Sequence, residues 1–110
     1  MSQENLISEI LANYEKHGWK LRRALLRPET RAAITEGGLF NQAQVEDSEI
    51  DALWFSRPSQ GQREAWELRL VATTQYALFE NFEADEVEEA REELRREMEA
   101  RMRSKVMGDV

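Results

Sequence analysis

Few residues in this chain of 110 have the types and spacing that chemistry requires. His17 is the only histidine, and a single imidazole cannot build a histidine-based zinc site. It falls near the end of the first expected helix, where the helix dipole favours its cation. A surface or capping role is therefore expected, with general-base work as the functional alternative. The acidic run "EDSEID", Glu46 to Asp51, offers oxygen ligands of the kind Mg²⁺ or Ca²⁺ takes. It lacks EF-hand spacing and the glycine of the sharp turn, so it reads as a solvated loop entering a strand. Gly37–Gly38 lacks the Lys and Ser/Thr of a phosphate loop, and no serine stands in a nucleophile elbow. No catalytic residue, metal or cofactor is expected on these grounds. Catalysis by carboxylates distant in sequence stays open.

The charge distribution says more. Between Lys16 and Arg31 stand six Lys/Arg and one acid, Glu29, whereas Glu83 to Glu99 holds nine acids and three arginines. Lys20, Arg22, Arg23 and Arg27 form a candidate anion contact, with Trp19 as a stacking surface for a nucleic-acid base. The structural alternative sets the same block beside the acidic turns of the last helix. A net charge of −7 disfavours a nucleic-acid binder, because phosphate affinity comes largely from Lys and Arg. It also disfavours anionic membrane surfaces. There are no cysteines, which excludes disulfides and thiolate sites and suits a cytoplasmic setting. "MSQENLISEILANYEK" has no basic start before an apolar run and reads as no secretory signal.

The elements that must position these residues follow from apolar periodicity. Leu6, Ile7, Ile10, Leu11 and Tyr14 recur at helical steps and predict a helix over Ser2–His17, ended by Gly18. Trp19 to Leu26 alternates as a strand, and Pro28 opens a short helix over Glu29–Glu36. Leu39 to Glu49 shows no period and is expected as loop. Ile50–Arg57, Ala65–Ala72 and Tyr76–Phe82 read as an antiparallel meander. Asp85 to Val106 reads as a long helix with an Asp85/Glu88 capping box. Its expected apolar stripe is Val87, Ala90, Leu94, Met98 and Met102. The expectation is a single α+β domain over residues 1–110, with an antiparallel sheet of about four strands (19–26, 50–57, 65–72, 76–82) carrying its helices on one face.

That arrangement has a consequence. A hairpin turning about Gln60 sets Trp54 opposite Trp66 and Asp51 opposite Arg69. It leaves Leu53, Phe55 and Val71 on the face without helices, and one register of the last strand adds Phe79. An apolar patch on an uncovered face marks a partner surface, and a second copy is the simplest partner. The expected function is thus a non-enzymatic interaction or adaptor domain that self-associates through the sheet face or the last helix. A ligand pocket or enzyme site between helices and sheet, near Trp19, Arg22 or Arg23, is the alternative. Nucleic-acid contact by residues 16–31 is the third reading.

Overall fold

The computed structural model describes residues 2–41 and 43–108, and its frame is one five-stranded mixed sheet. In chain order the elements are α1 (Gln3–Lys16), β1 (Lys20–Leu26), α2 (Pro28–Ala33), β2 (Gln44–Asp47), β3 (Ala52–Pro58), β4 (Glu64–Leu70), β5 (Ala77–Phe82) and α3 (Glu88–Met107). The fold is α+β, as the periodicity requires. The sheet, ordered β2-β1-β3-β4-β5, is antiparallel except that β2 runs parallel to β1. Four antiparallel strands were expected, so β2 corrects both the number and the direction. It is only four residues long and has no alternation to announce it. Its place comes from pairing Gln44 to Asp47 against Arg23 to Leu26 after the α2 crossover, which no local pattern records.

The second correction concerns the helices. They lie on opposite faces of the sheet, not on one. Leu25, Ala52, Trp54, Trp66, Leu68 and Phe82 pack with Met98 and Met102 of α3. Ala24, Leu26, Leu53, Phe55 and Val71 pack with Ile7 and Ile10 of α1. Residues 24–26 and 52–55 are buried without interruption, so both sides of β1 and β3 need an apolar cover. Burial on both faces gives continuous apolar runs, and "ALWF" at Ala52–Phe55 is one.

α1 starts as its sequence directs, with the Ser2 hydroxyl accepting from the Asn5 N–H. It ends in a Schellman turn: Gly18 takes a φ of 86°, its N–H donates to Glu15, and the Trp19 N–H donates to Tyr14. The Tyr14 and Trp19 rings meet across that turn at 6.0 Å. β3 and β4 turn about Gly61, at φ 66°, rather than Gln60. The register therefore differs by two residues from the expected one: Trp54 pairs with Leu68 and Ser56 with Trp66. A shift of two preserves every face assignment, whereas a shift of one would have inverted them. Arg69 consequently faces Leu53 and not Asp51.

Two helix boundaries also move. α2 ends at Ala33, three residues short of Glu36. α3 begins at Glu88 behind Val87, which offers no side-chain cap, so the Asp85/Glu88 box does not form. Within α3 the buried positions are Arg95, Met98 and Met102, while Val87 and Ala90 are exposed. No helix among the described residues is long and apolar enough to cross a membrane.

Candidate interaction surfaces

Leu53, Phe55 and Val71, expected to face a partner, are each 5 % exposed or less beneath α1. Tyr14 of α1 stacks on Phe55 with ring centroids 4.1 Å apart. These three residues are core, because the helix assigned to the other face covers them. Phe79 differs. It lies on the α1 side, opposite Glu67, and is 57 % exposed. β5 is an outermost strand, so Phe79 stands at the rim of the sheet beyond the reach of the helix.

The backbone of that rim is open as well. Leu70 donates to Tyr76, and alternation along the antiparallel ladder then points Leu78, Glu80 and Phe82 at β4. Ala77, Phe79 and Asn81 turn their N–H and C=O groups the other way. Sheet edges are commonly guarded by lysine, proline or a bulge. "ALFENF" contains no lysine or proline, its pairing with β4 runs without a bulge, and its one charged residue is Glu80.

Between α1 and the β4–β5 turn lies a hollow of about 650 Å³, lined by Leu6, Ile10, Tyr14, Glu67, Arg69 and Ala77 among others. The Tyr14 hydroxyl donates to the Glu67 carboxylate at its wall. Burial pushes the Tyr14 phenol well above its ordinary range, and the neighbouring Glu67 carboxylate pushes it further. Arg69 spends its guanidinium on the carbonyls of Leu70 and Thr74. The hollow mixes apolar side chains with polar ones and holds two carboxylates, Glu9 and Glu67, of which Glu67 already accepts from Tyr14. His17 reaches its margin, with Nδ1 2.8 Å from the Asn13 carbonyl.

The four basic candidates do not converge on one anion. Arg23 is clamped by Glu92, with Nη1 and Nη2 donating to the two carboxylate oxygens at 3.1 and 2.8 Å. That is the bidentate geometry that makes Arg–carboxylate pairs strong. The hydrogen bond from Arg23 holds the Glu92 carboxyl below its usual range. Arg27 belongs to a different assembly at the far end of β1. There the buried Asp51 accepts from the Arg27 N–H at 2.8 Å, from its guanidinium, from the Thr30 hydroxyl at 2.7 Å and from Gln3 at 2.9 Å. Lys20 and Arg22 remain exposed at the near end. Of the basic block, Arg23 alone forms an ion pair with the acidic helix among the described residues, while Arg27 and Arg31 pair with Asp51 and Asp47. Trp19 is not a free stacking platform: the Arg57 guanidinium sits 4.4 Å from its ring centroid.

The acidic run is also taken up by structure. Asp47 pairs with Arg31 at 3.0 Å, Glu49 approaches Arg103 at 4.0 Å, and Asp51 is the hub just described. Sequence reasoning missed two features here. Asp51 is a buried acceptor, and Arg95 is buried in the α3-side core with its guanidinium 4.4 Å from the Trp66 centroid. Arg95 recurs three residues before Met98 and seven before Met102, so the helical spacing held the signal. Its charge hid it.

Fold and surfaces together define an acidic α+β domain with one covered face on each side and an unguarded sheet edge. No protein-family model matches the chain, and comparisons with curated proteins and with solved structures likewise return no match.

Proposed function

We propose that this chain is a non-enzymatic protein-interaction domain that self-associates through the outer edge of β5. The observation that carries the reading is the exposed Phe79 on a strand whose outward backbone groups are unguarded. A second copy fits this edge by symmetry. Two antiparallel β5 strands related by a two-fold axis at Phe79 set Phe79 against Phe79, Leu78 against Glu80 and Ala77 against Asn81. Shifting the pairing by one residue on each strand opposes Glu80 to Glu80, and like charges directly opposite are unfavourable. The register centred on Phe79 is free of that conflict and pairs the exposed aromatic ring with its copy. Continuing one sheet into its copy satisfies the open N–H and C=O groups in a closed isologous contact. The cysteine-free, acidic composition suits a cytoplasmic setting for such a domain.

Sedimentation equilibrium from micromolar to submillimolar protein tests this. The expected result is a monomer–dimer equilibrium that Phe79→Lys shifts to monomer. Ala77→Pro does the same while leaving the β4 ladder intact, because the Ala77 N–H points outward. A wild-type chain that stays monomeric throughout that range refutes the reading. The hollow at Tyr14 and Glu67 supports a second reading, a binding site for a small molecule with both apolar and polar groups. A thermal-shift panel of such molecules should raise the melting temperature, and Glu67→Gln should abolish the rise.

A further inference from the structure

β2 begins opposite Arg23, although β1 begins three residues earlier at Lys20. Among the described residues, no strand flanks Lys20, Leu21 and Arg22 on that side. The shoulder so formed opens into a groove of about 800 Å³ bounded by Leu11 of α1, Leu21, Leu39 and Phe40. We infer that this shoulder binds an extended partner peptide in which apolar and acidic residues alternate, the peptide pairing its backbone with Lys20–Arg22.

The side-chain alternation follows from how β1 is built at this point. Leu21 pairs with Phe55 and so faces α1, whereas Lys20 pairs with Ser56 on the α3 side. The pairing slips between Leu21 and Arg23, leaving Arg22 as an extra residue. A bulge re-aims side chains, and this one sends the Arg22 guanidinium to the α3 side, 5.6 Å from the Trp66 centroid. The shoulder therefore has an apolar flank formed by Leu11, Leu21, Leu39 and Phe40, and a cationic flank formed by Lys20 and Arg22. A strand added beside it points successive side chains to the two flanks in turn. Apolar residues meet the first and carboxylates the second.

Charge supports that choice of partner. The chain carries −7 overall, yet this shoulder offers two exposed cations against one lining carboxylate, Glu15. Among the described residues neither Lys20 nor Arg22 forms an ion pair. Arg23, next in sequence, is clamped by Glu92. The cations available to a ligand are the two at the open stretch of backbone. A nucleic acid fits less well, because the Trp19 ring is already covered by Arg57. The proposal is independent of pairing at β5, which lies at the opposite edge of the sheet.

The test uses the full chain, isotope-labelled for amide NMR, and a synthetic seven-residue peptide of alternating valine and glutamate. Saturable shifts are expected at Lys20–Arg22 and Leu39–Ala43. Lys20→Glu combined with Arg22→Glu should weaken binding about ten-fold or more, as loss of two charge-assisted contacts implies. Both side chains are exposed, so the variant keeps its fold, and Leu39→Asp probes the apolar flank separately. Replacing valine by serine, or glutamate by lysine, should abolish the shifts. The proposal is overturned if the peptide leaves the shoulder unshifted at millimolar concentration or if either altered peptide binds equally well. Stronger binding of oligothymidine, or shoulder shifts caused by the chain's own concentration, overturns it too.

Discussion

Replacing Glu92 should damage this protein far more than replacing Arg95, although Arg95 is the more deeply buried of the two. The Arg95 side chain is 1 % exposed. Its Nε donates to Glu92 at 2.9 Å, and its Nη2 donates to Glu88 and lies 2.9 Å from a Glu92 carboxylate oxygen. Its Nη1 has no hydrogen-bond partner and lies in the layer formed with Trp66 and Phe82. Arg95→Met fills similar volume, removes the orphaned group and leaves no carboxylate stranded. Glu92 keeps its bidentate clamp on Arg23, and Glu88, 71 % exposed, turns to water. Replacing a buried ion with an apolar residue of similar size is often close to neutral, and the change expected here is within about 1 kcal/mol. Glu92→Gln does the reverse. It strips a partner from Arg23 and leaves the buried Arg95 guanidinium with only the solvent-screened Glu88. Breaking a buried pair from one side costs about 3–5 kcal/mol, and the partial exposure of Glu92 places the cost near 3 kcal/mol. At roughly 4 °C per kcal/mol for a domain of this size, Glu92→Gln should lower the melting temperature by about 12 °C and Arg95→Met by less than about 4 °C. Thermal unfolding followed by circular dichroism and tryptophan fluorescence measures both. An Arg95→Met loss equal to or larger than that of Glu92→Gln would falsify the account of which charge the core depends on.

Three further outcomes follow from the same geometry. Asp51→Ala leaves the Arg27 N–H, the Thr30 hydroxyl and Gln3 without their acceptor and should cost about 2–4 kcal/mol in urea denaturation. Asp47→Ala removes only the exposed pair with Arg31 and should cost less than about 1 kcal/mol; equal losses would contradict the hub role of Asp51. Because the Glu92 carboxyl is held below its ordinary value of 4.5, its contribution is complete at neutral pH and declines as the pH falls from that value through its lower folded-state value. The acid limb of a stability–pH curve should therefore flatten in Glu92→Gln, and an unchanged limb would count against the clamp. Of the two tyrosines, Tyr14 should ionise only well above its ordinary value of 10.0 while the chain stays folded, so ultraviolet titration should resolve one late-ionising phenol that Tyr14→Phe removes.

Elements whose signals are local can be read from the residues alone. Leu6, Ile7 and Ile10 at helical steps, with Gly18 behind them, are enough for α1 and its left-handed end. Alternation and Pro28 suffice for β1 and the start of α2, and the meander of β3, β4 and β5 is legible in three β-rich runs. The side of the sheet taken by the β3 and β4 residues was also legible, since their register error was an even number, whereas β5 was left with two registers that put Phe79 on opposite faces. Which element covers which follows only from the folded packing. Nothing local states that α1 and α3 take opposite faces, yet that choice turns Leu53, Phe55 and Val71 from a surface into core and leaves Phe79 alone at the rim. β2 exists because its neighbour β1 supplies hydrogen-bond partners across a crossover, not because its own four residues favour a strand. Arg95 is inside because two aromatic rings and two carboxylates from several turns and strands meet around it. Propensity and periodicity act between near neighbours along the chain, whereas burial and ion pairing are settled by residues that only folding brings together.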